Sequence, residues 1–331
     1  MTRWRSAWSA STEPWRRPPP AAAPRAGDRP PAWLFASDGR LRAGWRLLLF
    51  VLALVAGLLV AAQLVYPLLA AVLRALGIPL NAYWLSLADW LWVAGALAAH
   101  LFVLRLVERR PWADVGLGRA ALRPRGLALG ALLGAVAIGV PCLLLIVGRE
   151  LRVLPSADGS WFGAAGSLLA KLAPAALLEE LIFRGYPFMV LRESAGPVAA
   201  LAATSVLFGI AHVSNPGVTV LSIVMVVLAG CFLGAVVLVT GSVWAAFATH
   251  LAWNWTLSAA VHAAVSGLPF AMPDYRTVDA GPDWLTGGAW GPEGGLAAGL
   301  GILSALALLR WRGASHFLER GRVAAGEHAD G

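Results

Sequence analysis

Six polar side chains interrupt long apolar stretches of this chain, and their types and spacing suit the activation of water. The first group is Glu179-Glu180-Leu181-Ile182-Phe183-Arg184-Gly185. On a helix Glu180 and Arg184 are four apart and share a face, so they can pair. Glu179 then points about 100° away and is left free, a plausible general base. The second group is Phe208-Gly209-Ile210-Ala211-His212, and the third is His250-Leu251-Ala252-Trp253-Asn254. His250 and Asn254 again share a face. A carboxylate and a histidine can bind and deprotonate a water, while a second histidine and an amide can donate hydrogen bonds to an oxyanion. Alternatively, Glu179, His212 and His250 could ligate Zn²⁺, which would lower the pKa of a bound water. Both routes lead to hydrolysis of an amide. The chain has no HExxH pair, no P-loop and no serine or cysteine in an obvious nucleophile motif.

The elements that must carry these groups are set by composition. The chain has 331 residues, 59% hydrophobic and 13% charged, whereas soluble domains are about 45–50% apolar and about 25% charged. Its apolar runs approach the roughly 20 residues that span a bilayer. At membrane depth every backbone polar group must be bonded internally, so the runs should be helices. The short alternating segments of a transmembrane barrel are not visible. The expected fold is therefore all-α, a polytopic transmembrane bundle of about eight helices. Approximate spans are 45–73, 84–104, 126–148, 163–190, 197–213, 218–239, 242–262 and 295–311. Residues 1–43, rich in Pro, Arg and Ala, read as a disordered tail. Residues 44–312 form the membrane domain, with its polar core at about 163–262, and 313–331 form a second tail. Cys142 and Cys231 lie inside apolar runs and read as small buried residues.

The net charge of +8 comes almost entirely from arginine, since Lys171 is the only lysine. The arginines gather at Arg3, Arg5, Arg16, Arg17, Arg25, Arg29, Arg40 and Arg42, at Arg109, Arg110, Arg119 and Arg123, and at Arg312, Arg320 and Arg322. With eight spans these regions fall on one side, which the positive-inside rule makes cytoplasmic, as it does both termini. The charge thus reads as a membrane-topology signal, with lipid rather than nucleic acid as partner. The loop holding Asp274, Asp279, Asp283 and Glu293 falls on the other side. Trp45, Trp84, Trp161 and Trp311 mark segment ends, as interfacial aromatics do.

The ordered motifs EExxxR, FxxxH and HxxxN, each on its own hydrophobic helix, resemble the CPBP family. That family comprises CAAX prenyl proteases, abortive-infection proteins and bacteriocin-processing proteins. The resemblance rests on Glu179-Glu180…Arg184, Phe208…His212 and His250…Asn254, and spans about 165–258. Weaker similarity reaches back to Arg110-Pro111-Trp112…Val115-Gly116-Leu117. The resemblance implies a multi-pass intramembrane endopeptidase in a cell membrane, acting on a peptide or a membrane protein. It assigns water activation to Glu179 with His212, oxyanion support to His250 and Asn254, and architecture to Glu180 with Arg184. Many family members are labelled metalloproteases, so Zn²⁺ stays open as a cofactor. A scaffold or immunity protein that kept the fold is the alternative, though it would have no need of Glu179, His212 and His250 together. A proton-relaying transporter would show two related halves with broken helices, which the sequence lacks. Asp89, His100, Lys171 and His262 carry no assigned role and read as packing or snorkelling residues.

Overall fold

The computed structural model describes residues 31, 33–79 and 82–310. Most of the expected N-terminal tail, the tail 313–331, Trp311 and the side chain of Trp84 lie outside the described residues. The long apolar runs are helices, as the need to satisfy backbone groups in lipid requires. In chain order they are α1 (Ala43–Ala75, with a π turn at Ala61–Val65), α2 (Ala82–Leu101, continued by a π turn at Phe102–Val107) and α3 (Pro124–Val147). Then come α4 (Trp161–Arg184), α5 (Tyr186–Ala195), α6 (Pro197–Ile210), α7 (Val220–Thr240) and α8 (Val243–Trp255, followed by a π turn at Thr256–Ala260). A short α9 (Asp283–Thr286) precedes α10 (Leu296–Arg310). Five of the apolar stretches are long enough to cross a membrane, with α4 and α5 counted together. The outward face of α1 is strongly apolar, with Leu52 57% and Leu59 54% exposed. Such a surface suits lipid and not water.

Two features depart from the sequence expectation. The tail read as running to residue 43 is already folded at its end: Phe35 and Leu41 form an antiparallel bridge, and the Trp45 indole N–H donates to Trp33 O. The second is a small antiparallel sheet. β1 (Leu151–Pro155) pairs with β2 (Tyr275–Asp279), with Leu151 opposite Asp279 and Pro155 opposite Tyr275. The sheet ties the loop after α3 to the loop after α8, so both lie at one end of the bundle. At the opposite end the loop before α3 meets the start of α8: Val243 N–H donates to Gly116 O and Ser242 Oγ to Ala121 O. This agrees with the alternation expected from the arginines.

The site is held by α3, α4, α6, α7 and α8. Gly130 and Gly134 form a GxxxG stripe on α3, where a Cβ would come within 2.3 Å of Ala245 O and 2.0 Å of Thr249 O. Glycine therefore lets the α3 backbone lie directly on α8, the way small residues pack membrane helices. Ser242 caps α8 by accepting from Ala245 N–H, and Thr219 caps α7 in a capping box with Ser222. Around this contact lies a core including Leu133, Ile138, Phe232, Val236 and Trp253.

Candidate active site

Helix α4 breaks at Gly185, whose backbone leaves the helical region (φ −78°, ψ −126°). A Cβ there would sit 2.3 Å from His100 Nε2. His100 is fully buried, donates through Nδ1 to Ala96 O, and accepts the Tyr186 N–H at Nε2 (3.2 Å). It satisfies a donor that the break orphans, and that is the packing role expected of it. The break comes directly after Arg184, so it fixes the end of the helix on which both glutamates sit.

Glu180 and Arg184 are buried completely, at 0% and 1% exposure. They form the expected pair, Arg184 Nη1 to Glu180 Oε1 at 3.3 Å. Arg184 also donates to Gly230 O on α7 and lies over the Phe208 ring at 4.3 Å, a cation–π contact. Glu180 Oε1 further receives His250 Nδ1 from α8 at 2.9 Å. That bond orients the imidazole and turns Nε2 toward Glu179, whose Oε2 is 3.8 Å away. The gap is too long for a direct hydrogen bond. Glu179 Oε2 is itself buried and, among the described residues, has no hydrogen-bond partner, although the side chain as a whole is one-third exposed. One water could reach both atoms.

His212 lies just past the end of α6. That helix has 14 residues and is about 21 Å long, short of the roughly 30 Å hydrocarbon core. Irregular backbone follows Ile210, and such backbone is tolerated at membrane depth only where it is buried or lines a cavity. It lines one. A cavity of about 40 Å³ is walled by His212, His250, Asn254 and Phe208, by α7 side chains such as Met225 and Phe232, and by Glu293. A water needs about 10–15 Å³ of such space, so the cavity has room for more than one. His212 Nδ1 donates to Phe208 O at 2.7 Å, and the Phe208 ring packs against both histidines. Of the six motif residues, His212, His250 and Asn254 line the cavity directly. Glu180 and Arg184 stand behind His250. Glu179 meets the group through His250 Nε2, and His212 makes no ion pair with either glutamate.

The zinc alternative can be tested on the donors themselves. His250 uses Nδ1 on Glu180 and His212 uses Nδ1 on Phe208 O, which leaves both Nε2 atoms available, as histidine ligands of a metal require; the misfit lies in the grouping. Among the described residues no three His, Cys, Asp or Glu side chains converge as a metal-binding group. Glu179, His212 and His250 as folded do not fit the three-ligand set of a catalytic zinc.

Sequence reasoning missed Glu293. It is 8% exposed, accepts from the Trp253 indole N–H (2.7 Å) and Ser266 Oγ (2.7 Å), and lines the same cavity. By charge it belongs to the acidic loop. Its setting, Gly291-Pro292-Glu293-Gly294-Gly295 directly before an apolar helix, was the available signal.

No curated protein and no solved structure matches the chain. A family model, described as type II CAAX prenyl endopeptidase, Rce1-like, matches residues 161–256. The match starts at the first residue of α4 and ends one residue past α8, so it contains every motif residue from Glu179 to Asn254. Residues 161–256 of this multi-pass membrane protein are a domain of the Rce1-like type II CAAX prenyl endopeptidase family.

Proposed function

We propose that the protein is an intramembrane endopeptidase that hydrolyses a peptide bond with water held between Glu179 and His250. The observation that carries this reading is the pair Glu179 Oε2 and His250 Nε2, 3.8 Å apart, with Glu180 bound to the far side of the same imidazole. With Nδ1 donating to Glu180, the ring in its neutral form offers its lone pair at Nε2. Two acceptors then face each other, an arrangement that suits a water donating one O–H to each. The water oxygen attacks the scissile carbonyl carbon and Glu179 takes its proton. The C–N bond then breaks, and the proton passes to the leaving amine. The Asn254 amide donates to the oxyanion. His212, fixed through Nδ1, keeps Nε2 as a polar contact for the substrate peptide. This differs from the pairing that the family resemblance implies, because His250 rather than His212 lies near Glu179.

The substrate is a peptide segment that reaches the cavity within the membrane. The bundle end bearing Arg40, Arg46 and Arg110 faces the cytoplasm, and the β1–β2 end faces away from it. Cysteines introduced at 119 and 278 should label from opposite sides. The deciding experiment incubates the purified full-length protein in liposomes with membrane peptides and prenylated peptides, beside Glu179→Ala. Cleavage by the wild type alone supports the reading. Equal, background cleavage by both would leave the scaffold alternative.

A further inference from the structure

Glu293 lies beyond the domain matched by the family model, yet its carboxylate binds the helix that carries His250 and, at Ser266, a loop that in turn binds the segment carrying His212. Oε2 accepts from the Trp253 indole N–H at 2.7 Å. Trp253 is three residues after His250 and one before Asn254 on α8. Oε1 accepts from both the backbone N–H and the hydroxyl of Ser266. Ser266 in turn uses its carbonyl to accept from Asn215 Nδ2 at 2.9 Å, and Asn215 N–H donates to His212 O at 3.1 Å. The neighbouring contact is equally close. Gly267 has φ +79°, its N–H donates to Trp290 O, and a Cβ on it would fall 1.9 Å from Pro216 O. The stretch 212–217 has no regular secondary structure to hold it. Its tethers run through Ser266 and Gly267.

We propose that Glu293 is a positioning residue that clamps α8, with His250 and Asn254, to the His212 segment, so fixing the distance between the two walls of the cavity. The inference rests on the protease reading for its catalytic consequence. The two oxygens of the carboxylate serve different segments, so a group with one acceptor and one donor cannot replace it. Glu293→Gln keeps size and shape but turns an NH₂ toward either the indole N–H or the Ser266 N–H, and one tether is lost. Trp253→Phe removes the α8 tether from the other side while keeping an aromatic ring in the core.

The test uses the full-length protein in liposomes with a cleavable membrane peptide, comparing wild type, Glu293→Gln, Trp253→Phe and the double variant. Misplacing a site by about 1 Å can cost on the order of 10²-fold in rate. The expected result is a kcat lower by about that factor with KM little changed, as for an interaction felt in the transition state. The double variant should lose no more than the worse single one, since either change breaks the one bridge that runs from α8 through Glu293 to Ser266. Hydrogen exchange should quicken over 210–217 in Glu293→Gln with the unfolding temperature held. An unchanged kcat, or a raised KM at unchanged kcat, would overturn the positioning role. Unchanged exchange would overturn the clamp. If the wild type cleaves no more than Glu179→Ala, the protease reading fails separately, and the exchange result still decides whether Glu293 joins the two segments.

Discussion

The molecule contains two groups of buried charges, and they are finished differently. At the end of the bundle formed by the start of α1, the end of α2 and α5, Arg46 binds Glu108 (2.6 Å) and Glu193 (3.0 Å). Arg110 binds Asp114 and Glu193, each at 2.7 Å, and the Tyr186 hydroxyl donates to Glu108. Positive and negative groups alternate here, and each carboxylate has a cation beside it. Arg110 Nη1 meets Glu193 as an ion pair without an aligned hydrogen bond. In the interior, Glu179, Glu180, Arg184 and His250 use the same residue types but leave Glu179 Oε2, Glu180 Oε2 and Arg184 Nε buried without hydrogen-bond partners. Ionisable groups within a membrane are expensive, and a buried polar atom left unpaired needs a reason. The end network works as a fastener. On the proposed function, the interior group holds acceptors in reserve for water and substrate.

The comparison breaks most visibly at the reserve itself. Glu179→Ala and His250→Ala should each lower cleavage by about 10²–10⁴-fold, the range of general acid–base catalysis, without unfolding the protein. On the proposed mechanism the two groups hold one water, so the double variant should lose little beyond either single one. Rates in liposomes, with thermal unfolding as the control, decide it. Additive losses would mean the two do not act as a unit.

Next comes the pair behind the histidine. Arg184→Met removes the cation beside a fully buried Glu180 and strands its charge. Breaking a buried ion pair from one side costs about 3–5 kcal/mol, so unfolding in detergent should come at a clearly lower temperature. The cleavage rate per folded molecule should also fall, because Glu180 orients His250. A stable, active Arg184→Met would place this pair with the fasteners.

Much of this was legible in the sequence because lipid imposes simple rules. Apolar length marked the helices, and arginine placement matched the ends that the β1–β2 and Gly116–Val243 contacts bring together. The i, i+4 spacing found the Glu180–Arg184 bond. What stayed hidden depended on long-range contact. Nothing near Leu151 announces a partner at Asp279. Helical spacing cannot say which histidine of another helix meets Glu179, and it was His250. Glu293 read as one more charge in an acidic loop, since only tertiary structure brings it to Trp253 and Ser266.

A smaller effect belongs to the cavity wall. On the proposed mechanism Asn254→Ala removes one donor for the oxyanion, and such a donor is worth about 10²–10³-fold in rate. The loss should appear in kcat with KM nearly unchanged, and stability should hold, because among the described residues no protein group depends on the Asn254 amide for a hydrogen bond. A loss in KM alone would make Asn254 a binding residue.

The smallest effect should come from the fastener. Arg46→Met removes the bonds to Glu108 and Glu193, but neither acid is left alone. Glu193 keeps Arg110 at 2.7 Å, and Glu108 keeps Arg110 Nη1 at 3.6 Å and the Tyr186 hydroxyl. The methionine also replaces much of the arginine stem within the packing of α1. The expected cost is therefore about 1–3 kcal/mol of stability, the scale of a partly unsatisfied buried polar group. Cleavage per folded molecule should not change, since Glu108, Glu193 and Tyr186, the groups that Arg46 binds, do not line the cavity. Unfolding temperature and kcat measured on one preparation separate the two quantities. A fall in kcat at constant folded fraction would mean that the end network communicates with the site through Tyr186 and the break at Gly185. The two groups of charges would then be parts of one machine rather than a fastener and a reserve.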